Sequence, residues 1–229
     1  MGCVYHHGFL IPLLLVALAF SLSSAADPAP LQDFCVAAST TKDAVMVNGK
    51  ICKDPKLVVP EDFSVSGFHK PRNSSNPLGS ITTLFNVDYL PGLNTLGISM
   101  ARVDLAPGGV NPPHLHPRAS EMLVVVEGTV YVGFVTTNSD SRLFAKILHK
   151  GDAFVFPVGL IHFQINIGRT PAVGFVSFGS QNAGVTTVAN RIFSSQPPIM
   201  ADVLSAAFQM DKEMVEHLQG ISWFENAAG

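Results

Sequence analysis

Basic residues are few and scattered in this 229-residue chain. There are 14 Lys and Arg against 17 Asp and Glu, a formal net charge of −3, and no Lys/Arg cluster. This argues against a nucleic-acid partner, which needs a basic stripe or patch. Long apolar runs are also missing. The one sustained run, Phe9 to Phe20, is too short to cross the ~30 Å hydrocarbon core of a bilayer as a helix. Followed by Ser21, Ser23, Ser24 and Ala25-Ala26, it reads as a secretory signal peptide over 1–26, cut before Asp27. Its leading segment carries His6 and His7 where Lys or Arg is usual. An uncleaved anchor is the competing reading, and the shortness of the run argues against it. No later run approaches spanning length, so the mature chain, 27–229, is expected to be secreted and without a membrane span.

Cysteine is scarce as well. Of three, Cys3 falls in the signal peptide, leaving Cys35 and Cys52. An even pair in an oxidising compartment reads as a disulfide, worth about 3 kcal/mol for a loop of this size on the chain-entropy model. Two thiol ligands for a metal is the weaker alternative, because no CxxC spacing or neighbouring His supports it. Asn73-Ser74-Ser75 is an N-glycosylation acceptor sequence in a polar surface stretch, or else an unmodified turn.

Internal repeats and low-complexity tracts are absent too, which excludes solenoids and leaves the local pattern to define the fold. From Asp27 to about Pro77 the chain is irregular and punctuated by prolines. From Ile81 to about Phe178 it consists of short β-branched segments separated by Gly, Pro and Asn turns. Met122–Val126 and Thr129–Val135 read as a hairpin about Glu127-Gly128. Leu143, Ala145 and Ile147 alternate with polar neighbours, predicting a half-buried strand. Ala153–Phe156, Ile161–Ile167 and Ala172–Phe178 continue the series. Such spacing is the mark of a sandwich or barrel. After Pro197-Pro198 the period changes. Val203, Leu204, Ala207 and Phe208 share one helical face, and Met214, Val215 and Leu218, with Ile221 beyond, share another. Asp211 is placed to cap the second helix and Gly220 to stop it. These stripes cover either the parent barrel or a neighbouring subunit.

The residues with chemistry are concentrated. Gly108-Gly109-Val110-Asn111-Pro112-Pro113-His114-Leu115-His116 is followed by Glu121. His114 and His116, two apart, point to one face of a strand. Pro112 and Pro113 bias the approach toward extended backbone. Glu121 opens the next strand, and His162 follows the turn Pro157-Val158-Gly159. Three imidazoles and a carboxylate suit Mn, Fe, Ni or Zn better than Ca or Mg. A lone His is usually a surface or satisfied core residue, and His149 is read that way. Phe154, Phe156, Phe163 and Phe178 line the metal pocket or, more commonly at strand spacing, form plain core. Lys150-Gly151-Asp152 looks like an adhesion tripeptide but is better read as a hairpin turn.

Gly108 to Gly128 matches the first cupin motif, G-x5-H-x-H-x4-E-x6-G, and Gly151 to Asn166 the second, G-x5-P-x-G-x2-H-x3-N, at every fixed position. Asp27-Pro28-Ala29-Pro30-Leu31-Gln32-Asp33-Phe34-Cys35, Asn94-Thr95-Leu96-Gly97, Ser177-Phe178-Gly179-Ser180-Gln181-Asn182 and Pro197-Pro198 resemble germins and germin-like proteins of plants. The similarity covers essentially the whole mature chain. It implies an all-β fold: a single β-jelly-roll cupin over 27–229, with a barrel core at about 60–195 and short C-terminal α-helices at about 199–220. It implies one manganese held by His114, His116, Glu121 and His162, and a disulfide between Cys35 and Cys52. It also implies a homohexamer, a trimer of dimers whose helices clasp neighbours, in the apoplast or cell wall.

The resemblance leaves the reaction open, because sites rather than folds carry function. Germins similar to this chain are oxalate oxidases; other members are superoxide dismutases, with roles in defence or stress, or non-catalytic storage or receptor-like proteins. In the oxalate oxidases two asparagines near the metal orient oxalate. One is matched by Asn111. The other falls at Ala101, which offers a substrate carboxylate no hydrogen bond, a loss of about 1–3 kcal/mol. Superoxide dismutation asks only for a redox-active metal, an open position and protons. It is the expected activity, with superoxide as the small-molecule partner.

Overall fold

Period-two alternation gives each middle segment one apolar face, and two such sheets close on each other. A computed structural model describes residues 35–40, 42, 50–137, 140–225 and 227–228; the signal peptide expected over 1–26 and the mature start expected at Asp27 lie outside them. The strands are β1 (Ser80–Phe85), β2 (Ser99–Leu105), β3 (Val110–Leu115), β4 (Glu121–Glu127), β5 (Thr129–Val135), β6 (Leu143–His149), β7 (Ala153–Phe156), β8 (His162–Asn166), β9 (Ala172–Phe178), β10 (Thr186–Thr187) and β11 (Ala227–Ala228). One sheet runs β11-β1-β2-β9-β4-β7 and the other β10-β3-β8-β5-β6. All pairings are antiparallel except β1 with β11. This is a jelly-roll sandwich, all-β apart from its short helices.

The core between the sheets is built from the inward residues of alternating strands, among them Val103, Leu123, Val125, Val132, Leu148 and Val176. The expected hairpin about Glu127-Gly128 does not form: β4 pairs with β7 and β9 and β5 with β6 and β8, so the chain crosses from one sheet to the other at Gly128, where φ is +83°. A Cβ there would lie 2.5 Å from the Ala172 side chain, so glycine is required on both counts. Pro112 and Pro113 supply no N–H to the ladder, and the pairing of β3 with β8 shifts register between Asn111 and His114. That irregularity falls directly beside the histidine pair.

Strand β6 is where expected, but its faces are reversed. Leu143, Ala145 and Ile147 are exposed and Leu148 is the buried residue. The opposite parity wins because Phe144 stacks on Phe134 of β5 at 5.3 Å and Leu148 pairs with Val130, which faces the core. Polar spacing misled here because β6 is an edge strand whose outer side chains meet no second layer within the chain.

Before the barrel, a disulfide joins Cys35 and Cys52, with Cα atoms 5.1 Å apart. Asn94, fully buried, ties this loop to the barrel: its amide donates to Lys50 O at 2.9 Å, and its oxygen accepts from Lys50 N at 3.0 Å. Asn73 is exposed, its oxygen accepting from Ser75 N at 2.9 Å in a turn.

The chain leaves the barrel through a helix the periodicity did not announce, α1 (Val188–Phe193), followed by α2 (Ala201–Phe208) and α3 (Lys212–Gly220). Asp211 occupies the N-cap position of α3 without a capping side-chain hydrogen bond, and Gly220 is its last residue. Phe193, Leu204 and Val215 form a small core of their own with Leu218 and Trp223. Of the rest of the expected stripes, Val203, Ala207, Met214 and Ile221 are exposed, and Phe208, also largely exposed, touches this core only through Phe193 at 5.7 Å. Among the described residues no helix is long and apolar enough to cross a membrane.

Candidate metal centre

The strand order places both motifs at one end of the sandwich. His114 lies on β3 and His162 opposite it on β8 as its cross-strand partner, their rings 4.1 Å apart. His116 follows two residues on, just past the end of β3. Glu121 opens β4 across the interior, opposite Phe156 of β7 and Phe178 of β9. One donor atom from each of the four lies within 4.8 Å of the others, and all four side chains are buried. His149, in contrast, is exposed on the far sheet edge.

Each imidazole has its Nδ1 against a backbone carbonyl: His114 at Pro112 O (2.7 Å), His116 at Gly184 O (2.5 Å) and His162 at Leu160 O (2.8 Å). A carbonyl can only accept, so each Nδ1 carries a proton, and a neutral ring then turns a bare lone pair at Nε2 toward the cluster. Glu121 Oε2 sits 2.9 Å from His116 Nε2 and 3.3 Å from His162 Nε2. Bare nitrogens facing a carboxylate are all acceptors, and burying them together without a cation between them is costly. The donor set therefore fits a divalent transition metal, with the carbonyl contacts fixing tautomer and ring orientation as is usual around metal-ligating histidines.

Electrostatics point the same way. Burial, together with the neighbouring His162, pushes His114 down to about 3 despite the pull of Glu121. It is therefore neutral and available as a ligand at ordinary pH. Burial alone would raise Glu121, but the His116 and His162 side chains set against its carboxylate outweigh it and hold the carboxyl at about 2, a role that a cation bound between them would take over from a proton at Nε2. A buried neutral imidazole beside a buried carboxylate is what a metal-binding pocket requires.

Gln164 belongs to the site and was not singled out from sequence. It donates to Glu121 Oε1 at 3.3 Å and accepts from the Asn111 amide at 2.6 Å. The signal was the alternation His162, Gln164, Asn166, which turns all three inward on β8. Asn166 is a tether instead, donating to the carbonyls of Leu105, Ala106 and Thr170. The four phenylalanines divide. Phe178 meets His116 edge-on at 4.7 Å, and Phe156 stacks on His162 at 4.6 Å. Phe154 packs behind Phe156 in the core, and Phe163 lies on the outer face near Tyr131.

A cavity of about 280 Å³ opens above the cluster. Its walls include Leu84, Tyr89, Asn111, Val176, Phe178 and the 182–185 segment, while Asp88 stands at its rim paired with Lys50. No Lys or Arg is among the lining residues. Ala101 is on the inward face of β2 between Ser99 and Val103, both of which line this cavity.

The Cupin family model matches residues 66–216. "Germin-like protein subfamily 1 member 20" of Arabidopsis thaliana is 57% identical over 211 residues, covering 92% of this chain and 95% of that protein. A solved structure of recombinant oxalate oxidase in complex with glycolate is 46% identical with a TM-score of 0.80, covering 85% of this chain and 96% of the other. Peruvianin-I, described as a cysteine peptidase from Thevetia peruviana latex, is 39% identical with a TM-score of 0.66, covering 71% and 98%. Both described cysteines of the present chain are locked in a disulfide, so neither offers the thiol that a cysteine peptidase uses.

Proposed function

This chain belongs to the germin-like proteins of the cupin superfamily, and from that membership we propose that it is a secreted manganese protein that dismutates superoxide in the plant cell wall. The convergence of three carbonyl-anchored imidazoles on the Glu121 carboxylate carries this reading. His114, His116 and His162 hold the metal through Nε2 and Glu121 through its carboxylate. When bound, manganese supplies one-electron redox chemistry and an exchangeable position. Dismutation converts two superoxide ions and two protons into dioxygen and hydrogen peroxide, so the protein has no organic substrate to orient. The chain's own part is to keep the ligands neutral or anionic as required, to admit a small solute through the cavity, and to exclude bulk water with Phe178 and Val176. The signal peptide over 1–26 and the Asn73 sequon support secretion and glycosylation. The exposed apolar stripes of α2 and α3 support a homohexamer in which the helices clasp neighbours.

Oxalate oxidase activity is the second reading, favoured by the 46% identity to oxalate oxidase. Two features weigh against it. Ala101 brings no polar group to the inward face of β2, and Asn111 already donates to Gln164. The test is metal analysis of the secreted protein with paired dismutase and oxalate oxidase assays. Dismutation must exceed that of free manganese and disappear in His114→Ala. Substantial oxalate turnover would reverse the order of the two readings. If chelation dissolves the oligomer while neither activity is found, the metal is structural and the protein a binding or storage protein.

A further inference from the structure

The three histidines differ in what holds the ring edge that points away from the cluster. His114 and His162 are tied to carbonyls two residues back, at Pro112 and Leu160, an arrangement each strand makes for itself. His116 reaches Gly184 O, sixty-eight residues further along the chain. That carbonyl lies in the 179–185 connection between β9 and β10, so its position must be secured by something other than the strand that carries His116.

Arg118, two residues beyond His116, secures it. Its backbone N–H donates to Ala183 O at 3.2 Å, its Nε to Asn182 O at 2.8 Å, and its Nη2 to Asn182 Oδ1 at 3.0 Å. The same Oδ1 accepts the Gly184 N–H at 3.2 Å. Gly184 has φ +66°, and a Cβ there would approach the guanidinium to 2.7 Å, so the bend and the arginine fit only without a side chain at that position. Residues 182–185 also wall the cavity above the ligands. Thus one segment both anchors a ligand histidine and faces whatever enters the site.

We infer that Arg118 and Asn182 are positioning residues for His116: they hold the Gly184 carbonyl on its Nδ1 and thereby set the direction of its Nε2. Neither touches the ligand cluster. The inference rests on the metal-site reading above and adds that His116 is the one ligand whose orientation depends on the cavity wall. A solute pressing on 182–185 acts on His116 while leaving the strand-anchored His114 and His162 in place.

The experiment uses the full chain in its secreted form, with two measurements: the Mn²⁺ dissociation constant by chelator competition, and the visible absorption bands of the Co²⁺-substituted protein, which report ligand geometry. Arg118→Ala and Asn182→Ala are expected to weaken Mn²⁺ binding about 10–100-fold, the range for losing an outer partner of a metal-bound histidine, and to shift the Co²⁺ bands. Asn182→Asp, which keeps the acceptor oxygen, is expected to restore both. Arg118→Lys keeps charge and stem but loses the two-point grip, and serves if the alanine variants fold poorly; about tenfold weaker binding is expected. Arg142→Ala, whose guanidinium stacks on distant Phe144 at 4.5 Å, is the control without effect. Parental affinity and parental Co²⁺ bands in folded Arg118 and Asn182 variants, with His116→Ala losing metal, overturn this inference alone. If the parent binds no metal, the site reading falls and this inference with it.

Discussion

The barrel interior and the helical appendage bury their apolar residues in different ways. Between the sheets, core residues from β2, β4, β5, β6, β7 and β9 pack together beside a wholly buried polar cluster. Among the described apolar residues of the appendage only Phe193, Leu204 and Val215 are buried, and Val203 and Met214 are exposed on the same short helices, as is much of Phe208 beyond its contact with Phe193. A sandwich provides its own second layer; a helical hairpin of eight and nine residues cannot. The barrel is therefore expected to stand alone and the appendage to depend on its surroundings.

The sharpest way to break this comparison is at the ligand cluster. Glu121→Ala or His162→Ala should lower metal affinity by more than roughly 100-fold, beyond the cost of losing an outer partner, while α2 and α3 are unaffected. Metal analysis with hydrogen exchange on the helices reads both halves; helix opening in these variants would show that the two regions are coupled. Next in size, Leu123→Ala in the barrel should cost about 2–5 kcal/mol of global stability, measured by urea unfolding. The matching Leu204→Ala should cost about 2 kcal/mol and be confined to the appendage, visible as faster proteolysis near 200–220 with an unchanged main transition. A single shared transition for both variants would contradict the division.

Acid should act on the barrel. In the metal-free protein His114 is held at about 3, below its ordinary 6.5, so the unfolded chain binds more protons between these values. The stabilisation is complete above pH 6.5 and is lost as pH falls toward 3. Glu121, held at about 2 against 4.5, adds to the loss below pH 4.5. Urea midpoints at pH 7, 5 and 4 should therefore decline, and a flat profile would contradict the buried neutral histidine. The smallest effect belongs to the exposed stripe. Met214→Ser and Val203→Ser should each change the stability of an isolated chain by no more than about 0.5 kcal/mol. They should nevertheless reduce oligomer mass in light scattering if these faces meet neighbours.

Much of the site was legible because its residues recur at short, fixed spacings. Two histidines at i, i+2 share a strand face whatever surrounds them, and Glu121 and His162 follow at the motif positions. Strands β4, β5 and β9 were legible for the same reason, but the hairpin expected between β4 and β5 was not formed, because local alternation does not say which sheet a strand joins. Gln164 lay within that alternation but outside the fixed motif positions. The inward face of β6 was not legible, because an edge strand carries apolar residues on both sides and only contact with Phe134 and Val130 distinguishes them. Helix α1 escaped because six residues of mixed polarity have no readable period.

By itself, the sequence determined the strand series, the four donors and the mild charge balance without a basic cluster, since each depends on residue type and local period. Only the tertiary structure decided what anchors each donor. For His114 and His162 the anchor is local. For His116 it is a carbonyl brought from sixty-eight residues away by sheet order and clamped by Arg118, and no local period records a contact made by chain closure.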